Sequence, residues 1–289
     1  MEDSEAPLAA IATHSDGRLL QSHGLTSKVY VPILRLIFER NYRPGDTEVD
    51  FTLDDVRNAA DELGIVVRNA ADVIYRMRSR TVLPAEILAL GFYVLRQAGR
   101  GKYRFEQATS TVIDLPNTRP IEALDLTPNP VRRLLPENLT ELDEQAILMI
   151  AGYCKLWDHF TGMTVYRLRS HVRKSVPGIG QAELDELNVA IAVRDDEVPT
   201  IVPIEAKAVA DPVNRVQIAT QVAFALEYFP GHEIRPLSIK VDHEGLLNLV
   251  EFNATTVASE IELVRSARYR LMMSDRQRSL IHVTNQVDL

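Results

Sequence analysis

Residues 200–207 read Thr-Ile-Val-Pro-Ile-Glu-Ala-Lys. The run is apolar until its last three residues, so Glu205 and Lys207 stand at the end of a buried strand, and side chains two apart on a strand share a face. Upstream, Glu183-Leu184-Asp185-Glu186 opens another strand. Carboxylates that converge on one face repel unless a cation stands between them, and an all-oxygen ligand set suits a hard divalent ion such as Mg2+, with Mn2+ as a substitute. Such an ion polarises a phosphate ester and lowers the pKa of a water bound to it. Lys207, two residues from Glu205, can orient that water and offset the charge that builds on phosphorus. The carbonyl of Ala206 points differently from its flanking side chains and is a further candidate ligand.

Antiparallel pairing of the two strands across a turn at 194–199 brings Asp185 opposite the 205–207 segment. An even register puts Asp185, with Glu183, on the face of Glu205; an odd register puts Glu186 there. Both registers fit the pattern. A helix expected to open at Asp211-Pro212, an N-cap followed by an N1 proline, carries Gln217 and Gln221 one turn apart on one face. Glu144, near the start of an earlier helix, is a possible additional acid. His171, between Arg169 and Arg173, reads as a surface residue that could also meet a phosphate.

The elements that hold these residues follow from periodicity. Thr140 to Asp143 reads as a capping box before one long helix through Ile147, Ile150, Cys154 and Trp157. Residues 164–173, 183–193 and 200–207 read as three strands, 233–241 and 246–252 as two more, and about 259–273 as a closing helix. The result is a mixed five-stranded sheet flanked by helices, of class α/β (α+β).

The first half is a different unit. Residues 1–24 read as a loose terminus. A helix is expected over about 27–40. A second begins at a Thr52/Asp55 capping box, a third covers about 68–80, and two strands flank Gly99-Arg100-Gly101 as a hairpin. Three helices followed by a basic-tipped hairpin are a winged-helix pattern, in which the third helix enters the major groove and the hairpin tip lies along the backbone. Arg68, Asn69, Arg76 and Arg80 on that helix, Arg100 and Lys102 on the hairpin, and Arg169 and Arg173 in the second half are the candidate DNA contacts. Between 108 and 138, five of the chain's fifteen prolines mark an expected linker. The division is then 25–107, winged-helix-like; 108–138, linker; and 139–289, the acid-bearing domain.

Bulk composition narrows the rest. The 289 residues carry a formal charge of -8, yet residues 66–104 hold eight bases against two acids, a local footprint for phosphate. The single cysteine, Cys154, excludes a disulfide framework and a cysteine zinc site and fits a reducing cytoplasm. No apolar run approaches the length of a transmembrane helix, and no glycine-rich phosphate loop or nucleophile elbow is present.

Over about residues 140–255 the chain resembles the PD-(D/E)xK nuclease superfamily, on Asp185, on Glu205-Ala206-Lys207, and on the order of flanking elements. The proline that usually precedes the first acid is replaced by Leu184. The resemblance implies a Mg2+-dependent endonuclease of restriction type acting on double-stranded DNA. Asp185, Glu205 and Ala206 would hold metal, Lys207 would assist the nucleophile, and Gln217 and Gln221 would support substrate or metal-bound water. Two active sites are needed to cut both strands, so a homodimer is expected; a cognate methyltransferase is unknown. Two alternatives stay open: a DNA-binding regulator with an inactive nuclease-like domain, and a structure-specific, repair or RNA nuclease.

Overall fold

The computed structural model describes residues 19–79, 83–116, 121–125, 138–192 and 198–272; for residues 19–28, 78 and 79 it describes the backbone alone. The first part runs α1 (Leu19–Asn41), β1 (Glu48–Thr52), α2 (Leu53–Glu62), α3 (Ala70–Ser79), α4 (Ala85–Ala89), β2 (Phe92–Gly99) and β3 (Lys102–Gln107). The Thr52 box forms as expected. Asp55 N donates to Thr52 Oγ1 at 3.3 Å, and Thr52 N donates to Asp55 Oδ2 at 2.7 Å, so two donors orphaned at the start of α2 are satisfied reciprocally. β1 was not expected. Its Val49 and Phe51 turn inward while Glu48 and Asp50 turn outward to Arg104 of β3. The three strands form an antiparallel sheet in the order β1-β3-β2. Ile33, Phe38, Val56, Ile74, Phe92 and Phe105 are central to the core beneath it.

The second part contains β4 (Ile121–Asp125), α5 (Glu144–Tyr153), α6 (Leu156–Thr161), β5 (Thr164–Val176), β6 (Gly180–Ile191), β7 (Thr200–Lys207), α7 (Arg215–Tyr228), β8 (Leu237–Val241), β9 (Leu247–Phe252) and β10 (Leu263–Met272). The chain is mixed α/β. Its large sheet has seven strands in the order β4-β10-β9-β8-β7-β6-β5 rather than five. β7–β8 and β10–β4 are parallel pairs, and the others are antiparallel. α5 and α6 cover one face through Ile147, Ile150 and Trp157, packed on Val202, Ile204, Ala206 and Ile239. α7 covers the other through Ile218, Ala223 and Phe224.

Several expected elements are corrected. The closing helix is instead a 3-10 turn at Ala258–Glu260 and the strand β10, whose Tyr269 and Leu271 enter the core. The segment expected as linker contributes β4, and Ile113 within it is buried, with its N–H donating to Val213 O at 2.9 Å. The single long helix is two, broken at Lys155, which adopts the left-handed region (φ 57). Asp143, not Thr140, caps α5, accepting from Ala146 N at 2.8 Å. Asn214, not Asp211, caps α7, accepting from Val216 N at 2.8 Å. The 194–197 turn and most of the proline-rich stretch lie outside the described residues, as do residues 1–18.

The two parts touch. Val94 of β2 packs with Ile113, Val213, Ile218, Val250 and Phe252. Gln97 lies so close to Gly180 (φ +102) that a Cβ there would sit 2.3 Å from its side chain. No described helix is long and apolar enough to cross a membrane.

Candidate active site

β7 is buried along its whole length, the consequence of an apolar sequence in a strand covered on both faces. Alternation along it sends Ala206 into the α5/α6 core and turns Glu205 and Lys207 towards α7. The pairing of β6 with β7 sets Glu186 against Ile204, which carries Asp185 opposite Glu205. The even register therefore holds. Asp185 Oδ2 accepts a 2.9 Å hydrogen bond from Ala206 N. In an extended strand the N–H and C=O of one residue face the same edge, so the Ala206 carbonyl faces the side on which Asp185 stands.

Glu205 is only 3% exposed, and both its oxygens are occupied. Oε1 receives Lys207 Nζ at 2.6 Å and Gln217 Nε2 at 2.5 Å; Oε2 receives Gln221 Nε2 at 2.5 Å. One turn of α7 separates the two glutamines, so a single helix face grips the carboxylate from above. Lys207 Nζ also donates to Glu144 Oε1 at 3.2 Å, from the first turn of α5. Asp185, Glu205, Lys207, Gln217, Gln221 and Glu144 thus form one cluster at the C-terminal end of β7. Asp185 is half-buried and Gln217 exposed, so the cluster opens to solvent on their side.

The electrostatics are those of crowded acids around one ammonium. Burial raises Glu205 to about 7; Lys207 opposes this, while Asp185 and Glu144 add to it. Burial also raises Glu144. Burial works against the charge on Lys207, but the Glu205 carboxylate, with Glu144 and Asp185, outweighs it and holds the ammonium above the usual lysine range.

The donor set suits a hard cation. It consists of oxygens: the Asp185 and Glu205 carboxylates and the edge bearing the Ala206 carbonyl. Gln221 Oε1 is buried and has no hydrogen-bond partner among the described residues, a spare oxygen in the same cluster. No group of three or more His, Cys, Asp or Glu side chains able to hold a metal occurs among the described residues. Two carboxylates, a carbonyl and oxygens from outside the protein are the set on offer.

Two candidate acids fall elsewhere. Glu186 lies on the opposite face of β6, buried, taking Arg167 Nη2 at 2.6 Å and Asn188 Nδ2 at 2.8 Å. Glu183 is exposed and engaged by Arg173 at 2.9 Å, so Arg173 carries a partner of its own. Of the other candidate DNA contacts, Arg68, Asn69, Arg76, Arg100, Lys102 and Arg169 are exposed, with Arg76 bonded to Asp72 at 2.9 Å; Arg80 lies outside the described residues. Asn69 Oδ1 accepts from Ala71 N at the start of α3. His171 is exposed, has φ 49, and sits between the pairs Ser170–Glu186 and Val172–Leu184, hence opposite Asp185.

Sequence reasoning misses Lys240. It pairs in register with Lys207 and donates to the carbonyls of Ala208 (3.1 Å), Val209 (2.8 Å) and Asp211, tying down the loop that leads from β7 towards α7. Burial lowers its pKa, with Lys207 adding to the effect. Nothing in Leu-Ser-Ile-Lys-Val marks it, because its acceptors lie about thirty residues away.

Comparison with protein-family models, curated proteins and solved structures returned no match.

Proposed function

We propose that this chain is a metal-dependent phosphodiesterase, with the cluster at the end of β7 as its reaction centre. More particularly, we read it as a Mg2+-dependent DNA endonuclease of PD-(D/E)xK, restriction type. The observation that carries the reading is Glu205: a buried carboxylate gripped by Lys207, Gln217 and Gln221, with Asp185 facing it across the neighbouring strand.

Asp185, Glu205 and the Ala206 carbonyl would hold Mg2+. When bound, the ion polarises the scissile phosphate and acidifies a water beside it. Gln217 and Gln221 keep the Glu205 carboxylate in one orientation. Glu144 does the same for the Lys207 ammonium, which stays protonated and so can donate to charge developing on a phosphate oxygen. In the first part, α1 to α3 followed by the β2–β3 hairpin support a winged-helix-like DNA-binding unit, with Arg68, Asn69 and Arg76 on or beside α3 and Arg100 and Lys102 at the hairpin tip. Cutting both strands of a duplex requires two such centres, so the working form is a symmetric homodimer.

The test is incubation of the full chain with plasmid and bacteriophage DNA in Mg2+ and in EDTA, beside Glu205→Ala and Lys207→Ala. Discrete fragments that need Mg2+ and vanish in both variants are expected. Lys207→Ala should lose at least about a hundredfold in rate while gel-shift affinity for DNA stays within about twofold. Cleavage equal in the Glu205→Ala protein would sink the assignment.

A further inference from the structure

β5 is the outermost strand of the large sheet on the side of β6, pairing with β6 alone and leaving its other edge open. Its 13 residues, Thr164–Val176, include three arginines, one lysine and one histidine and no acid, in a chain whose formal charge is -8. Three of these five groups are already engaged. Arg167 bonds Glu186, Arg173 bonds Glu183, and the Lys174 ammonium lies over the ring of Tyr228 at 4.6 Å. Arg169 and His171 are exposed and have no hydrogen bond or ion pair from their side chains among the described residues.

The edge position explains part of this. Charged side chains and bulges keep an open edge from pairing with another chain, and β5 has both, with a register shift between Arg167 and Arg169. A second copy laid along β5 would bring two acid-free, basic strands together, and like charges set opposite one another destabilise a pair. Edge protection does not require charge of one sign, however, and it does not account for His171. That residue has φ 49, in the left-handed region that glycine enters freely and a histidine does not. One other non-glycine residue among those described has a positive φ: Lys155, where α5 gives way to α6. Backbone strain of this kind persists where the surroundings impose it, and it gathers at sites of function. His171 lies opposite Asp185 of the candidate site, with Arg169 two residues before it on the same strand.

We propose that Arg169 and His171 form a subsite for a backbone phosphate of a nucleic-acid strand that crosses the edge strand β5 on its way to the reaction centre. The guanidinium supplies a fixed charge and the paired N–H donors that match phosphate oxygens. The imidazole supplies one further N–H. β5 stands one strand, about 4.8 Å, beyond Asp185, so the phosphate it holds flanks the scissile one. Nucleic acid as the partner rests on the proposed function; a contact of this kind positions the strand without reading its sequence.

The full chain, in EDTA so that nothing is cut, is titrated against a fluorescein-labelled duplex by anisotropy at salt concentrations from about 50 to 200 mM. The wild type is expected to bind with an affinity that falls as salt rises. Arg169→Ala should flatten the plot of log affinity against log salt by about 0.9, the loss of one phosphate contact, which is about eightfold in affinity at 0.1 M salt. Arg169→Lys, which keeps the charge, should restore the slope. His171→Gly should weaken binding about fivefold, the size of one hydrogen bond, while its melting temperature does not fall, because glycine relieves the backbone. A histidine with only a structural role would show the reverse. Arg270→Ala removes an exposed base from β10, on the other side of the sheet, and should change neither slope nor affinity. Binding by Arg169→Ala and His171→Gly equal to that of the wild type, or an equal loss in Arg270→Ala, overturns the proposal and leaves the nuclease reading standing. A wild type that binds no nucleic acid overturns both. Losses confined to the two β5 variants, in a chain that cuts nothing when Mg2+ is added, would refute the nuclease reading and leave this one in place.

Discussion

Replacing Lys207 with methionine removes the ammonium that contacts Glu205 and Glu144 but keeps an unbranched stem in its space. Glu205 lies near 7 with Lys207 present, because burial outweighs the attraction of the ammonium. An acid whose folded pKa exceeds its unfolded value holds its proton more tightly in the folded chain. Its contribution is fully present below the unfolded value of 4.5, falls as pH rises, and is lost once pH passes the folded pKa. In the wild type that fall ends near pH 7. In Lys207→Met the attraction is gone, the folded pKa moves higher, and the fall continues. Lys207 itself adds no slope, since it stays charged throughout this range in the folded and unfolded chain alike. The stability gap between the two proteins should therefore widen above pH 7 by about 1.4 kcal/mol per pH unit, or roughly 2 kcal/mol by pH 8.5. The ceiling is the roughly 3–5 kcal/mol seen when one partner of a buried ion pair is removed. Urea unfolding in EDTA at pH 6, 7 and 8.5, followed by Trp157 emission, measures the gap. A gap that is the same at pH 7 and pH 8.5 would refute the view that Lys207 is what keeps Glu205 ionised.

Two further outcomes are expected. Mg2+ at a hundred times its dissociation constant should stabilise the wild type by about 2.7 kcal/mol; the gain should be lost in Asp185→Asn, as read by thermal melting with and without the ion. Asp143→Ala should cost about 1 kcal/mol by uncapping α5, and because Glu144 is the next residue, a cleavage loss beyond that expected from stability alone should accompany it in a steady-state assay.

The candidate site was legible where chemistry and burial coincide in one short segment. Thr200–Lys207 is apolar until its last residues, which locates the strand and puts Glu205 and Lys207 on one face. The register was not legible, because a two-residue period is equally satisfied by Asp185 or Glu186; only the pairing of Glu186 with Ile204 decides it. β10 was misread for a related reason. Leu263, Ala267 and Leu271 recur every four residues, a spacing that fits one face of a helix as well as alternate positions of a strand. β4 is a short, largely exposed edge strand in a proline-rich setting, so neither composition nor burial marks it. Lys240 depends on contacts with a strand and loop distant in sequence, which no local pattern encodes.

The apolar patch that joins Val94 to Val213, Ile218 and Phe252 bears on how this chain could have been assembled and could be dismantled. Units that exchange freely between proteins present polar faces to one another. Here, cutting the chain between the two sheets would uncover Val94 on one piece and the Val213, Ile218 and Phe252 surface on the other. Neither half should serve as an independent module. A foreign partner grafted onto either would have to reproduce that surface, or the helix whose glutamines hold Glu205 would lose its seat.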